Sequence, residues 1–375
     1  MKIFFLFSTL ICLIMSSCGR NDKRTNLNES RKVVFKYAEN ISIERCRKFK
    51  IATLANPWTK GKTLHTYILV DRKDSATCGP LPDGTVIYTP LRRAVMFVSP
   101  HIALAGMLGA TGNIAGVADT RFIRLENIMR KVESGEITDC GESMNPNVER
   151  IIETCPDALF ISPFENSGGY GNLEKTGIPI IECAEYMETS ALGRAEWMRF
   201  YGMLLGKEHE ADSLFALTES KYNELKNMAK QSKTRLSIIT EKLTGTTWYV
   251  PGGRSSAGKL IADANGGYAF AADTHSGSLA MSFEAILDKA GNADVWVFNH
   301  SGTAPMTYPD LLSEYRGYES IKAFKNQNIW FVNSSQVPYF EEISFRPDFL
   351  LRDYIILLHP DLKIGKPKYF EKVIN

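Results

Sequence analysis

Apolar residues in this chain recur in two rhythms that alternate along its length. Short β-type runs, "KIATLA", "HTYILV" and "GTVIYTP", come first, separated by polar and Gly/Pro stretches, and predict a small decorated sheet edge before residue 92. From residue 93, "RAVMFVSPHIALAGMLGATGNIAGVADT" predicts an apolar strand, a helix opening at Ser99-Pro100 and a second short strand at "NIAGVAD". Ser99 reads as the N-cap and Pro100 as the first helical residue, because proline lacks only an N–H that a helix start leaves unused. A helix-to-strand unit, "NPNVERIIETCPDALFIS" (145–162), and another buried strand, "TGIPIIEC", follow. Strands alternating with helices imply a parallel α/β sheet.

Between residues 190 and 233 apolar positions fall three and four apart almost throughout, broken only near Gly206-Lys207. A second α/β set then begins at "RLSIIT" and continues through "GKLIADANGG", "MSFEAILDKAGNADVWVF" (281–298) and "NIWFVNSS", and "RPDFLLRDYIILLHP" reads as a closing helix. The predicted fold class is therefore α/β: two Rossmann-like lobes, at 41–189 and 234–375, joined by a long rigid helix at 190–233, with a ligand cleft between them. A helical joint must bend as a whole, so lobe motion should be small.

The stretches 145–162 and 281–298 are the same helix-to-strand unit, one in each lobe. Aligned, Glu149 falls against Glu284, Ile151-Ile152 against Ile286-Leu287, and "DALFI" against "DVWVF". A capping-type residue, Asn147 or Ser282, stands two places before each Glu, which puts that Glu in the first helical turn. One reading is local, because a first-turn carboxylate stabilises its own helix by about 0.3–1 kcal/mol. Two equivalent Glu residues, one per lobe, are harder to dismiss as that alone.

Composition narrows the class. The chain opens Met1-Lys2 and runs apolar from Ile3 to Met15, too short to span a bilayer, and reads as a signal peptide over 1–17. Met15-Ser16-Ser17-Cys18 looks like the processing box of a bacterial lipoprotein, with Met15 in place of the usual Leu. The polar "GRNDKRTNLNESRK" that follows suits a tether, drawn here as far as residue 40. Lipidated Cys18 would hold an exported protein at a membrane surface in a bacterial envelope. A chain of 375 residues exceeds what one core usually serves. The net charge of +2 makes no case for nucleic acid. Cys46, Cys78, Cys140, Cys155 and Cys183 remain beyond the leader, with no Cys-x-x-Cys among them, and the sequence names no disulfide pair.

The ordered set "RAVMFVSPHIALAGMLGATGNIAGVADT", "NVERIIETCPDALFIS", "GIPII", "LGRAEWMRFYGMLLGKEHEAD", "LIADANGG", "FEAILDKAGNADVWVF" and "RPDFLLRDYIILLHP" resembles the substrate-binding proteins of ABC importers for cobalamin, ferric siderophores and haem, the class with a helical backbone between lobes. The resemblance implies a metal chelate as ligand, no resident cofactor or metal, and an ABC permease dimer as partner. In that family one surface Glu per lobe docks into arginine-lined permease pockets, which implies this role for Glu149 and Glu284; carboxylate–guanidinium contacts are bidentate and directional. The β region before residue 92 departs from the family pattern.

"GGRSSAGKL" (252–260) places Gly253, Gly258 and Lys259 as in a phosphate-binding loop, but Leu260 stands where Ser or Thr should hold magnesium. It reads instead as a glycine-rich turn. The resembling family borders its cleft with that turn, which makes Trp248, Tyr249 and Arg254 contact candidates, with core packing the other reading of Trp248. His101, beside Ser99 at a helix start just past a strand's carboxyl end, is a cleft candidate, since α/β sheets place ligands there and a helix N-terminus favours anions. Phe164 and Tyr339 occupy equivalent strand-end positions. Such aromatics suit a large, partly apolar chelate. The six histidines form no zinc-type array. Ser276 beside His275 and Ser301 beside His300 leave an envelope hydrolase as the alternative, though chain neighbours rarely face each other as nucleophile and base.

Overall fold

The computed structural model of the protein describes residues 30–165 and 169–375. The expected leader, Cys18 and the first part of the expected tether lie outside the described residues.

Alternating burial builds the N-terminal sheet. Ile41 and Ile43 of β2 (Ile41–Arg45) turn inward while Ser42 faces out. With β1 (Arg31–Val33), β3 (Phe49–Ala55), β4 (Thr63–Asp71) and β5 (Thr85–Thr89) it makes a five-stranded sheet in chain order, antiparallel except for β4–β5. The region expected as a sheet edge is thus a sheet of its own.

In the first lobe β6 (Ala94–Met96) is buried along its whole length, as a central parallel strand requires. It leads into α1 (Ser99–Met107), β7 (Ile114–Val117), α2 (Glu126–Glu133) and β8 (Thr138–Asp139). A hairpin of β9 (Gly141–Glu142) and β10 (Asn145–Pro146), then α3 (Val148–Glu153), β11 (Ala158–Ile161) and β12 (Ile180–Glu182), complete it. The sheet runs β12-β11-β6-β7-β8, parallel throughout. Helix α1 starts differently from the sequence expectation. Val98 is the cap residue and makes no side-chain cap bond, and Ser99 and Pro100 form the first turn.

The joint is three helices instead of the one long helix expected: α4 (Ala191–Glu196), α5 (Met198–Leu205) and α6 (Glu208–Ala229). Gly206 ends α5 at φ 69°, where an added Cβ would come within 2.7 Å of Pro90. Trp197, Phe200, Tyr201 and Leu204 bury into the first lobe's core, whereas Leu192, Tyr222 and Ala229 belong to the second lobe's.

The second lobe opens with β13 (Ser237–Thr240), β14 (Leu243–Thr244), β15 (Thr247–Pro251), α7 (Ser256–Asp263) and β16 (Gly267–Tyr268). It continues through β17 (Ser278–Met281), α8 (Phe283–Ala290), β18 (Val295–His300), α9 (Tyr308–Glu314) and α10 (Lys322–Lys325). It ends with β19 (Ile329–Asn333), α11 (Tyr339–Ile343), α12 (Pro347–Leu358) and β20 (Phe370–Lys372). The main sheet runs β16-β13-β18-β19-β20, with β20 antiparallel, beside a smaller β14-β15-β17 sheet.

A strap joins the N-terminal sheet to the joint. The buried Glu196 carboxylate accepts the backbone N–H groups of Lys36 at 2.9 Å, Tyr37 at 2.8 Å and Ala38 at 2.9 Å. Glu188 accepts those of Glu39 and Asn40 and the indole N–H of Trp197. The flexible tether expected to reach residue 40 therefore gives way to fixed chain from β1 onward, because two buried carboxylates satisfy five of its amides.

Candidate functional site

In each lobe a residue at or just past the carboxyl end of a parallel strand meets the joint: His101 beyond β6 stands against Tyr201 of α5, and Thr240 of β13 lies across a cavity from Arg194 of α4. Strand ends are the usual ligand position in α/β sheets. There α1 packs on α11, the N–H of Arg124 donates to Glu341 Oε1 at 2.9 Å, and Lys259 Nζ reaches Thr189 Oγ1 at 3.0 Å. His101 lies in this seam, 2% exposed. Its ring stands edge-on to Tyr201 at 4.7 Å and to Phe345 of the other lobe at 5.8 Å, and Nε2 is 3.5 Å from the Glu185 carboxylate. The ring that the sequence offers as a cleft candidate is sealed here by side chains from the joint and the second lobe. Burial alone would raise the Glu185 carboxyl, but His101, Arg194 and the Tyr201 hydroxyl outweigh it and hold it at about 2.

Beyond the seam two cavities, of about 170 and 180 Å³, flank Glu241 and Tyr339 and share Ile343 and Tyr354. The first adds Asn299, Phe340 and Phe370; the second adds Arg194 from the joint and Thr240 and Ser256 from the second lobe. Larger recesses exist in the N-terminal sheet, beside Arg47 and Cys78 and beside Asn40 and Thr63, and along α6 and α12, but none is lined by the parallel strands of the two lobes.

Three features mark the paired cavities. Glu241, directly after β13, is held at φ 65°, a left-handed conformation that costs a non-glycine residue free energy and recurs at ligand sites. Its carboxyl opens to the cavity, and burial by the surrounding walls pushes it above the usual carboxylate range with nothing among the described residues to offset that. Finally, Arg194 Nε, Thr240 Oγ1 and Asn299 Oδ1 are buried without hydrogen-bond partners among the described residues.

The sequence-derived candidates divide. Tyr339 lines both cavities. Ser99 is half-buried in the first turn of α1, Phe164 is exposed just past β11, and Arg254 is exposed in the glycine-rich turn. Trp248 takes the core position that the sequence also allowed: it is fully buried, 5.5 Å from Trp296, and donates from Nε1 to Thr240 O at 2.9 Å. Tyr249, one residue on, faces the opposite side of β15 and is exposed. Sequence reasoning missed Glu241, Arg194 and Asn299. Only Glu241 had a usable signal, its place immediately after the strand "SIIT".

Glu149 and Glu284 occupy the same position, second in α3 and second in α8, and both are exposed. The caps are equivalent too: Asn147 Oδ1 accepts the Arg150 N–H at 3.0 Å, and Ser282 Oγ accepts that of Ala285 at 3.3 Å. The phosphate-loop-like stretch closes on itself, since Ser255 Oγ caps α7 through the Gly258 N–H and a Cβ on Gly253 would lie 2.5–2.6 Å from three carbonyl oxygens. Neither His–Ser neighbour pair hydrogen-bonds internally among the described residues. Ser301 Oγ meets Ser335 Oγ at 2.6 Å, His300 Nε2 meets Ala304 O, and His275 Nδ1 meets Asp273.

Two parallel α/β lobes, a helical joint and a recess at their strand ends define a two-lobed solute-binding protein. Residues 101–335, more than half of the chain, match the family model described as periplasmic binding protein, and the chain belongs to that family. An uncharacterized lipoprotein of Methanocaldococcus jannaschii is 26% identical, with 96% of this chain and 93% of the relative covered. A second uncharacterized lipoprotein of that organism is 24% identical, with 99% of each covered. A periplasmic haem-binding protein from Pseudomonas aeruginosa superposes with a TM-score of 0.58 at 15% identity, over 76% of this chain and 99% of that one. The petrobactin-binding protein YclQ of Bacillus subtilis gives 0.54 at 18% identity, over 72% and 93%. The family is extracytoplasmic, and no helix among the described residues is long and apolar enough to cross a membrane.

Proposed function

We propose that this protein is the substrate-binding lipoprotein of an ABC importer. It captures a metal chelate (an iron–siderophore, cobalamin or haem) between its lobes, held to the membrane by a lipid on Cys18. Glu149 and Glu284 then dock the loaded protein on the permease dimer. The observation that carries the reading is the matched pair of exposed, identically capped carboxylates, one per lobe. Aromatic walls around Tyr339 suit an organic chelate better than a hydrated ion. The resemblance in fold to a haem-binding and a petrobactin-binding protein supports the same ligand class. Exposed Phe164, Tyr249 and Arg254 are assigned to the cleft rim. Native mass spectrometry with an absorbance spectrum, after exposure to each chelate, tests the reading. A stoichiometric coloured complex with one chelate class is expected. Absence of any complex, or turnover of an ester or phosphate by the purified protein, would overturn it in favour of a hydrolase.

A further inference from the structure

We propose that the recess beside Glu241 is a cage for an organic ammonium group, and that the ligand carried between the lobes presents such an arm to it. The proposal rests on the reading that this interlobe recess receives the ligand.

Three kinds of wall converge on that chemistry. Tyr339, Phe340, Phe370 and Tyr354 form one aromatic chain, with ring centroids 5.1 Å apart for Tyr339–Phe340, 6.4 Å for Tyr339–Phe370 and 5.9 Å for Tyr354–Phe370. Ring faces carry partial negative charge and attract cations. The charged group in the wall is the Glu241 carboxylate, and the buried, unpartnered oxygen of Asn299 adds a second acceptor. Among the described residues no lysine, arginine or histidine lines this cavity. A cavity offering acceptors and ring faces is built to receive donors and positive charge.

Energetics point the same way. A left-handed backbone at a residue with a Cβ is costly, and that cost falls on Glu241. The titratable groups around it, Tyr268, Tyr339 and Tyr354, are themselves pushed upward by burial first and by nearby negative charge second, so they supply no cation. Asp353, behind Tyr339 and Tyr354, adds negative charge. Lys242, the next residue in the chain, pairs with Glu314, its Nζ 2.5 Å from that carboxylate and 5.7 Å from the centroid of the Phe298 ring. A ligand ammonium would complete the site. About 170 Å³ holds an alkylammonium head and not a whole chelate, so the chelate body stays outside and sends in one arm. Glu241 and Phe340 are exposed and form the mouth.

Titration calorimetry on the purified full chain tests this, with butylammonium and tetramethylammonium against 1-butanol and acetate. The cations should bind saturably, with 1-butanol about tenfold weaker and acetate weaker still. Glu241→Gln should remove the preference for cations over 1-butanol. Glu241→Gly, which relaxes the left-handed backbone, should lose it equally while remaining folded by circular dichroism, which separates the charge from the conformation. Equal binding of butylammonium and 1-butanol, or unchanged cation affinity in either variant, overturns the cage. Titrating the wild-type protein with the chelates separates the two readings, because a protein that binds chelates without preferring cations loses only the cage.

Discussion

Glu196 accepts the Tyr37 N–H at 2.8 Å across 159 residues of sequence, and the same carboxylate takes the two flanking amides. The segment that links β1 to β2 of the N-terminal sheet is therefore clamped onto the helical joint. Lys36 and the Tyr37 hydroxyl add a second hold on Glu219 of α6.

Glu196→Ala leaves three partly buried amides unpaired. Hydrogen bonds to charged groups contribute about 1.5–3 kcal/mol each in favourable cases, and their losses here overlap, so a destabilisation of about 3 kcal/mol is expected. Urea unfolding reads the midpoint, and limited proteolysis should cut near residues 36–40 before the rest of the chain opens. Unchanged stability and no early cut would remove the strap from the account.

The seam between the lobes should be acid-labile. Glu185 is held at about 2 against an ordinary value of 4.5, so the stability it contributes is complete above pH 4.5 and is lost as pH falls toward 2. Replacing His101 by Gln removes the imidazole that stands 3.5 Å from the Glu185 carboxylate and should move the acid-unfolding midpoint to higher pH. A midpoint that stays put would show that His101 does not sustain the Glu185 charge.

Adjacent residues on β15 should behave oppositely. Trp248→Ala empties a fully buried site and should cost about 3–5 kcal/mol. Tyr249→Ala should cost under about 1 kcal/mol, as surface changes do, and should weaken chelate binding instead. Thermal unfolding and chelate titration of both variants check this, and a stability loss at Tyr249 matching that at Trp248 would contradict the facing of the strand.

Much of this was legible in the sequence because it depends on local period and capping. The repeated helix-to-strand unit places Ile151 and Ile286 in the two cores and leaves Glu149 and Glu284 outside, as its spacing predicts. What the sequence could not convey depends on partners from afar. His101 sits past a strand end, as expected, but Phe345 from the other lobe and Tyr201 from α5 close over it. The polar stretch before residue 40 has a tether's composition, yet its amides meet buried carboxylates some 150 residues away. A short strand between turns also leaves its phase open, so Trp248 and Tyr249 could not be told apart. Nothing in "TEKL" announces a left-handed Glu241.

The central claim is that the two matched carboxylates dock this protein on a permease. If they serve only their own helices, Glu149→Gln/Glu284→Gln costs about 1 kcal/mol in total and leaves uptake nearly normal. Docking predicts intact chelate affinity with a sharp fall in transport, worse on reversal to Lys, which sets like charges against permease arginines. The direct measurement is chelate uptake in cells carrying folded, chelate-binding Glu149→Lys/Glu284→Lys protein. Near-complete loss of uptake is the predicted result, and normal uptake would contradict the account.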